Sequence, residues 1–192
     1  MHKEFTTRNN LPILSGNKEN FKHYSCRWKV AWETKNEFKK PKEIIFQKGD
    51  LFKLKTITGT QSSEIDLYYS IKNEELLVIK IFNRSNYEKH NIRQREIDNY
   101  KEISGNHPFI ARYYGIYQIE KENNLVIEYV NGKTLADSLS FLNLHEKMKI
   151  LFEIMLTIEF FHNNHFIYRD LKPSNVMVDF NKTAVFIDFD RM

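Results

Sequence analysis

Cysteine occurs once in the 192 residues, at Cys26. A lone thiol excludes an intramolecular disulfide, and no paired Cys/His spacing marks a zinc site, so a reducing, cytoplasmic setting is expected. Long apolar runs are missing as well. No stretch reaches the roughly 18 residues that a membrane helix needs, and the first thirty residues lack the apolar centre of a secretion signal. Neither a membrane span nor export is expected. Arginine-rich runs and regular aromatic interleaving are also absent, so nucleic acid is not an expected partner.

What remains is a globular composition, 41% hydrophobic and 28% charged, sufficient for a buried core. The net charge of +4 is unevenly spread: residues 1–50 hold 11 Lys and Arg against 6 Asp and Glu, whereas residues 51–192 hold 18 against 19. The positive excess belongs to a first segment, residues 1–47, without a repeat or clear period. It carries Phe21, Tyr24, Trp28, Trp32 and Phe38. This segment is expected to be a basic, aromatic-containing extension packed loosely on the domain that begins near residue 48, with docking onto an acidic surface as a weaker alternative.

The chemistry concentrates in residues 165–190, HFIYRDLKPSNVMVDFNKTAVFIDFD. A charged run, Tyr168 to Asn175, precedes the strand-like Val176-Met177-Val178. A turn at Asn181-Lys182 leads to a second apolar strand from Ala184 to Ile187, ending on Asp188-Phe189-Asp190. Asp170, Lys172, Asn175 and Asp188 are thereby carried by two short strands, and clustered charges beside apolar strands need partners. Asn175 and Asp188 offer oxygen ligands suited to a hard cation such as Mg²⁺. Asp170 can orient a hydroxyl and take its proton, and Lys172 can hold a migrating phosphate.

The run resembles the catalytic loop of protein kinases, with Tyr168 in place of the usual His, and Asp188-Phe189-Asp190 resembles the family's metal-binding triplet. Lys172-Pro173 after Asp170 is similar to the serine/threonine branch. The resemblance covers about residues 48–192. Upstream, LFKLKTITG, EIDLYYSI and ELLVIKIF read as an antiparallel meander, resembling the first strands of a kinase small lobe, with Lys80 as the phosphate-anchoring lysine. The helical pattern from Asn86 to Ser104 places Ile92, Ile97, Tyr100 and Ile103 roughly on one face, and Glu96 where the family pairs a glutamate with that lysine. His107-Pro108-Phe109-Ile110 resembles the loop after this helix. Two more strands come next, Tyr113 to Ile119 and Leu125 to Val130. Glu128 to Gly132 resembles the hinge, with Ile127 behind the adenine pocket. Thr134 is expected to cap a short helix reaching Phe141, and Asn143 with Glu146 to open a longer one that from Ile150 onward is apolar on every face and so calls for burial all round.

The fold that the resemblance implies is α+β. A five-stranded antiparallel small lobe with one helix spans residues 48–130, and an incomplete helical large lobe spans residues 131–192, ending soon after the triplet. Later family elements that would cover the long helix are not in the sequence, so another chain is expected to cover it, or the lobe to fold poorly. By resemblance, ATP and Mg²⁺ are the cofactors and a protein hydroxyl is the substrate. Asp170 and Lys172 are catalytic, and Asn175 and Asp188 are the metal ligands. Ile57, Ile65, Val78, Lys80, Glu96, Ile127, Glu128, Val130 and Met177 form the nucleotide site. Tyr100, Tyr113, Tyr168 and Phe189 match the family's stack of side chains linking the lobes.

Two departures weigh on activity. With Ile65 at the family's valine position, Thr58, Thr60 and Ser63 stand where three glycines are usual, and Gly59 is one residue out of register, so weaker nucleotide binding is expected. Asp190 replaces a glycine and adds a third carboxylate beside the triplet. A non-catalytic nucleotide-binding scaffold therefore stays open, as does a small-molecule phosphotransferase, against which Lys172-Pro173 counts.

Overall fold

A computed structural model describes residues 43–61, 63–82, 87–119 and 122–192, with the side chains of residues 87–92 left out. The expectations for residues 1–42, and for Asn86 and Ile92 in the first helix, lie outside what is described. The chain divides into two compact units.

One unit, as far as it is described, takes residues 43–105, 111–130 and 188–192 and is built on a six-stranded sheet in the order β1-β5-β6-β4-β3-β2. The strands are β1 (Ile44–Phe46), β2 (Leu51–Gly59), β3 (Ser63–Ser70), β4 (Glu75–Phe82), β5 (Tyr113–Ile119) and β6 (Glu122–Glu128). The helix α1 (Tyr87–Ile103) forms the crossover from β4 to β5. β2, β3 and β4 make the expected antiparallel meander, and β6 pairs with both β4 and β5. The expected count of five antiparallel strands is corrected by β1, which pairs parallel to β5 with Ile44 opposite Gly115. Three residues, Ile-Ile-Phe, are too few to show a period, and their pairing partner lies some seventy residues downstream.

Period-two alternation sorts this sheet into two faces. Leu77 and Ile79 of β4, Tyr68 of β3 and Val126 of β6 pack with Phe46, Leu51 and Tyr117 in one apolar cluster. The opposite face carries Lys80, directly across from Ile65 and Leu125, and Val78, across from Leu67 and Ile127. β2 slips register between Lys53 and Lys55 and again between Thr56 and Thr58, leaving Leu54 and Ile57 as the extra residues. Each such bulge bends the strand and strengthens its twist.

The second unit, as far as it is described, takes residues 106–110 and 131–187. β7 (Gly132–Thr134), β8 (Val176–Asp179) and β9 (Ala184–Phe186) form a three-stranded sheet beside α2 (Leu135–Ser138) and α3 (Leu144–Asn163). α2 stops earlier than expected, but its cap is as read: the Thr134 hydroxyl accepts from the Asp137 N–H at 3.1 Å. α3 opens on a reciprocal capping box, Asn143 Oδ1 accepting from the Glu146 N–H and Glu146 Oε2 from the Asn143 N–H, both at 2.9 Å. Such boxes satisfy backbone donors that the first helical turn leaves unpaired.

Among the described residues nothing covers all of the apolar surface of α3. Ile150, Leu156 and Phe161 are buried, whereas Leu144, Met148, Leu151 and Met155 lie in the open, Leu144 being 76% exposed. A buried carboxylate on α3 organises β9 instead. Glu153 accepts the Ala184 N–H at 2.8 Å and pairs with Lys149 at 2.9 Å, and Lys149 donates onward to the Lys182 carbonyl at 2.6 Å. The turn before β9 is closed by Asp179 Oδ1, which accepts from the N–H groups of Asn181 and Thr183. β9 is also held from its N–H side, Phe186 donating to the Phe109 carbonyl at 2.7 Å. His107 stacks on Phe160 within this unit, and burial pushes its imidazole down to about 3, so it packs as a neutral ring. Among the described residues no helix is long and apolar enough to cross a membrane.

Candidate active site

The predicted site residues fall into two sets, one in each unit. In the second unit, Pro173 occupies the first position of a single 3-10 turn, Pro173–Asn175, where its missing N–H is not needed. This turn folds Asn175 back onto Asp170. Asn175 Nδ2 donates to Asp170 Oδ2 at 2.9 Å and to the Asp170 carbonyl at 3.1 Å. Lys172 Nζ reaches the same Oδ2 at 2.6 Å. The carboxylate is thus held by an amide and an ammonium. Tyr168 packs between Phe161 and Phe186 and donates its hydroxyl proton to the Ile187 carbonyl at 3.0 Å. Met177 sits on β8 opposite Thr134 and Val185.

In the sheet unit, Lys80 Nζ is clasped by two carboxylates. Glu96 of α1 approaches with both oxygens, at 2.8 and 2.7 Å, and Asp188 Oδ1 lies at 3.1 Å. Glu96 is 1% exposed while Asp188 is 33% exposed, so the clasp has a sealed side and an open one. Burial pushes the Glu96 carboxyl up to about 7 against the pull of Lys80, and Asp188 and Asp190 repel it further. The Lys80 ammonium is raised, its desolvation outweighed by Glu96 and Asp188. Asp190, the departure from glycine, thus acts on the clasp through Glu96. Ile65, Val78 and Ile127 occupy the face of the sheet that carries Lys80. Ile57 is a bulge residue of β2, the Glu128 side chain accepts from the Arg112 N–H at 3.1 Å, and Val130 is buried after β6.

Sequence reasoning missed how α1 holds the triplet. Asn99 Nδ2 donates to the Phe189 carbonyl at 2.6 Å, and the Asp188 N–H donates to the Tyr100 hydroxyl at 3.2 Å. Tyr100 also meets Phe189 edge to face at 4.7 Å between ring centres. These bonds steady Asp188 in a left-handed conformation, φ 66°, which aspartate tolerates better than most residues. An Asn in mid-helix next to Tyr100, itself expected to meet Phe189, was the one signal for this role. Within the predicted stack, Tyr100 and Phe189 touch directly. Tyr113 is buried in the sheet unit, where its hydroxyl donates to Glu43 Oε1 at 2.6 Å.

Among the described residues no group of three His, Cys, Asp or Glu side chains is arranged as a metal cage. Taken singly, each unit offers one predicted oxygen donor of the type Mg²⁺ accepts together with phosphates. Asp188 provides a part-exposed carboxylate beside a lysine, and Asn175 a neutral amide oxygen.

The charge state of Glu96 has a measurable consequence. A carboxyl raised above its ordinary value of 4.5 binds its proton more tightly in the folded state, so its stabilising contribution is present below about 4.5 and lost as pH rises through about 7. Thermal melts of the unliganded protein between pH 5 and 8 are expected to show this decline, and Glu96→Gln to flatten it. Parallel slopes for wild type and variant would assign the dependence to other groups.

The protein kinase domain family matches residues 53–191. The chain is 32% identical over 87 residues to the serine/threonine-protein kinase SSK22 of Saccharomyces cerevisiae, covering 44% of this chain and 6% of that protein. It is 42% identical over 77 residues to the cAMP-dependent protein kinase catalytic subunit of Dictyostelium discoideum, covering 38% and 12%. It is 29% identical over 141 residues to the SNF1-related protein kinase catalytic subunit alpha KIN12 of Arabidopsis thaliana, covering 70% and 28%. The chain thus matches less than a third of the length of each of these relatives. With the family match spanning most of the sequence, from β2 to the residue after Asp190, the chain belongs to the protein kinase domain family.

Proposed function

We propose that the chain transfers the terminal phosphoryl group of Mg-ATP to a serine or threonine hydroxyl of a protein. The observation that carries this reading is the clasp of Lys80 by Glu96 and Asp188 at 2.7 to 3.1 Å, made by three residues far apart in sequence. A lysine so placed presents charge to a nucleotide's phosphates while its partners fix its position. Ile65, Val78 and Ile127 on the same sheet face, together with Ile57, Glu128, Val130 and Met177, are assigned to nucleotide binding. Asp170 serves as the base that orients the substrate hydroxyl and accepts its proton, and Lys172 steadies the transferred phosphoryl group. Asn175 and Asp188 each supply an oxygen ligand for Mg²⁺. When bound, the cation neutralises charge on the phosphates. A protein substrate, a reducing cytoplasmic setting and a partner covering the open face of α3 belong to the same reading.

Two observations favour a second reading, a nucleotide-binding scaffold without turnover. Thr60 and Ser63 close the β2–β3 turn through their own hydrogen bonds, at 2.8 to 3.3 Å, rather than leaving a glycine backbone free to meet phosphates. Asp190 also adds negative charge near Glu96. Both readings expect Mg-ATP to raise the melting temperature, and ATP without Mg²⁺ to do so less. Phosphate transfer to a generic basic protein then separates them. Turnover supports the enzyme, stabilisation without turnover supports the scaffold, and the absence of both contradicts the nucleotide site itself.

A further inference from the structure

The residues just ahead of the meander are tied to α1 in a way that the proposed phosphoryl transfer does not by itself require. β1 is the parallel member of an otherwise antiparallel sheet, with Ile44, Ile45 and Phe46 opposite Gly115, Ile116 and Tyr117. Its seat is shaped for it. Gly115 has φ +149°, and a Cβ there would fall 1.9 Å from the Ile44 carbonyl oxygen, so a residue with a side chain could not let the two backbones approach. Phe46 at the end of β1 is fully buried in the apolar cluster with Leu77 and Ile79.

The residue before β1 reaches the other way. Glu43 Oε1 accepts the Tyr113 hydroxyl proton at 2.6 Å and lies 2.8 Å from Lys101 Nζ in the last turn of α1. Lys101 belongs to the stretch of helix that serves the site: Glu96 meets Lys80, Asn99 holds the Phe189 carbonyl and Tyr100 holds the Asp188 N–H. Residues 96–101 therefore join three things along less than two helical turns: the clasped lysine, the Asp188-Phe189 backbone and residue 43. A displacement of that stretch moves all of them together, because a helix responds as a rigid piece over so short a length.

We propose that residues 43–46 form a strap that holds α1 in register with the sheet, with Glu43 as a positioning residue for the Lys80–Glu96–Asp188 clasp. Glu43 touches none of the reacting groups. It acts through Lys101 and Tyr113, and β1 in its glycine-lined seat sets where Glu43 can stand. The consequence for turnover rests on the kinase reading; the hold on α1 does not.

Hydrogen exchange of the backbone amides of residues 93–103, measured on the full 192-residue chain, tests the strap without reference to activity. Glu43→Ala removes a charged hydrogen-bond acceptor and is expected to raise exchange in this stretch about tenfold. Gly115→Ala, which dislodges β1 from the other side, is expected to do the same. The reciprocal pair Glu43→Lys with Lys101→Glu is expected to return exchange toward wild type. In parallel, kcat/KM for Mg-ATP should fall with Glu43→Ala and recover in the reciprocal pair. Unchanged exchange over residues 93–103 in both single variants overturns the strap, as does an equal rise across all strands of the sheet, which would mean general loosening. If the wild type turns over and exchange is unchanged, the strap fails and the kinase reading stands. If exchange responds and the wild type neither binds nor turns over Mg-ATP, the kinase reading fails and the strap stands.

Discussion

Asp170→Asn is expected to lower phosphoryl transfer by about 10²- to 10⁴-fold, the range typical of a lost general base, while leaving the stabilisation by Mg-ATP unchanged. The substitution is nearly isosteric, and the local frame that places residue 170 comes from elsewhere: the 3-10 turn at Pro173–Asn175 and the Asn175 bond to the backbone carbonyl of residue 170. What the variant loses is the carboxylate oxygen on which Lys172 and Asn175 converge. An amide cannot accept a proton from a substrate hydroxyl at neutral pH, whereas it can still fill the space. Steady-state transfer to a basic protein, read beside thermal melts with and without Mg-ATP, checks both halves. Wild-type turnover in the variant would remove Asp170 from the mechanism, and loss of turnover together with loss of binding would point to local misfolding.

Lys80→Met has a different signature because it removes one partner from a mostly buried pair. Breaking such a pair typically costs about 3 to 5 kcal/mol when the surviving charge stays ionised. Glu96 has an escape, since burial already pushes its carboxyl up to about 7. Without the lysine its pull toward the protonated form only strengthens. The variant is therefore expected to melt well below wild type at pH 8 and close to it at pH 6, and to bind Mg-ATP at least about tenfold more weakly at both, in keeping with one lost charged contact. Adding Glu96→Gln should recover most of the stability at pH 8 but none of the binding. Thermal melts at the two pH values and a nucleotide titration give the four comparisons. A stability loss independent of pH would mean that Glu96 is not the group left behind.

The parts of this site that were readable in the sequence are those fixed by short-range periodicity or by local chemistry. Alternation alone puts Val78 and Lys80 on one face of β4, and pairing carries Ile65 and Ile127 onto it. The cap at Asn143 and Glu146 was legible because its two partners are three residues apart and each satisfies the other's backbone. Asp170, Lys172 and Asn175 lie within six residues, so one turn is enough to gather them.

What could not be read depends on contacts distant in sequence. β1 has too few residues for a period, and the sign of its seat was a glycine inside an apolar strand, which from sequence alone reads as a weakness. Asn99 was one polar residue among many on a charged helix; only the folded chain brings it to Phe189, ninety residues on. For α3, the apolar residues on every face from Ile150 onward call for burial all round, yet Leu151 and Met155 are open among the described residues, because a helix's apolar content says what it can bury and not what stands opposite. The Glu153 bond to the Ala184 N–H was hidden for the opposite reason: a glutamate in a helix normally reads as surface.

On the proposed reading, Lys80 and Asp188 meet in order to manage a nucleotide's phosphates and their cation. Calorimetric titration of ATP, with Mg²⁺ and with a chelator, into wild type and Asp188→Asn tests it most directly. Wild-type binding should weaken by about tenfold or more when the cation is withdrawn, and the variant should bind alike in both conditions. Equal wild-type affinity with and without Mg²⁺, or a full Mg²⁺ effect surviving in Asp188→Asn, would contradict the account.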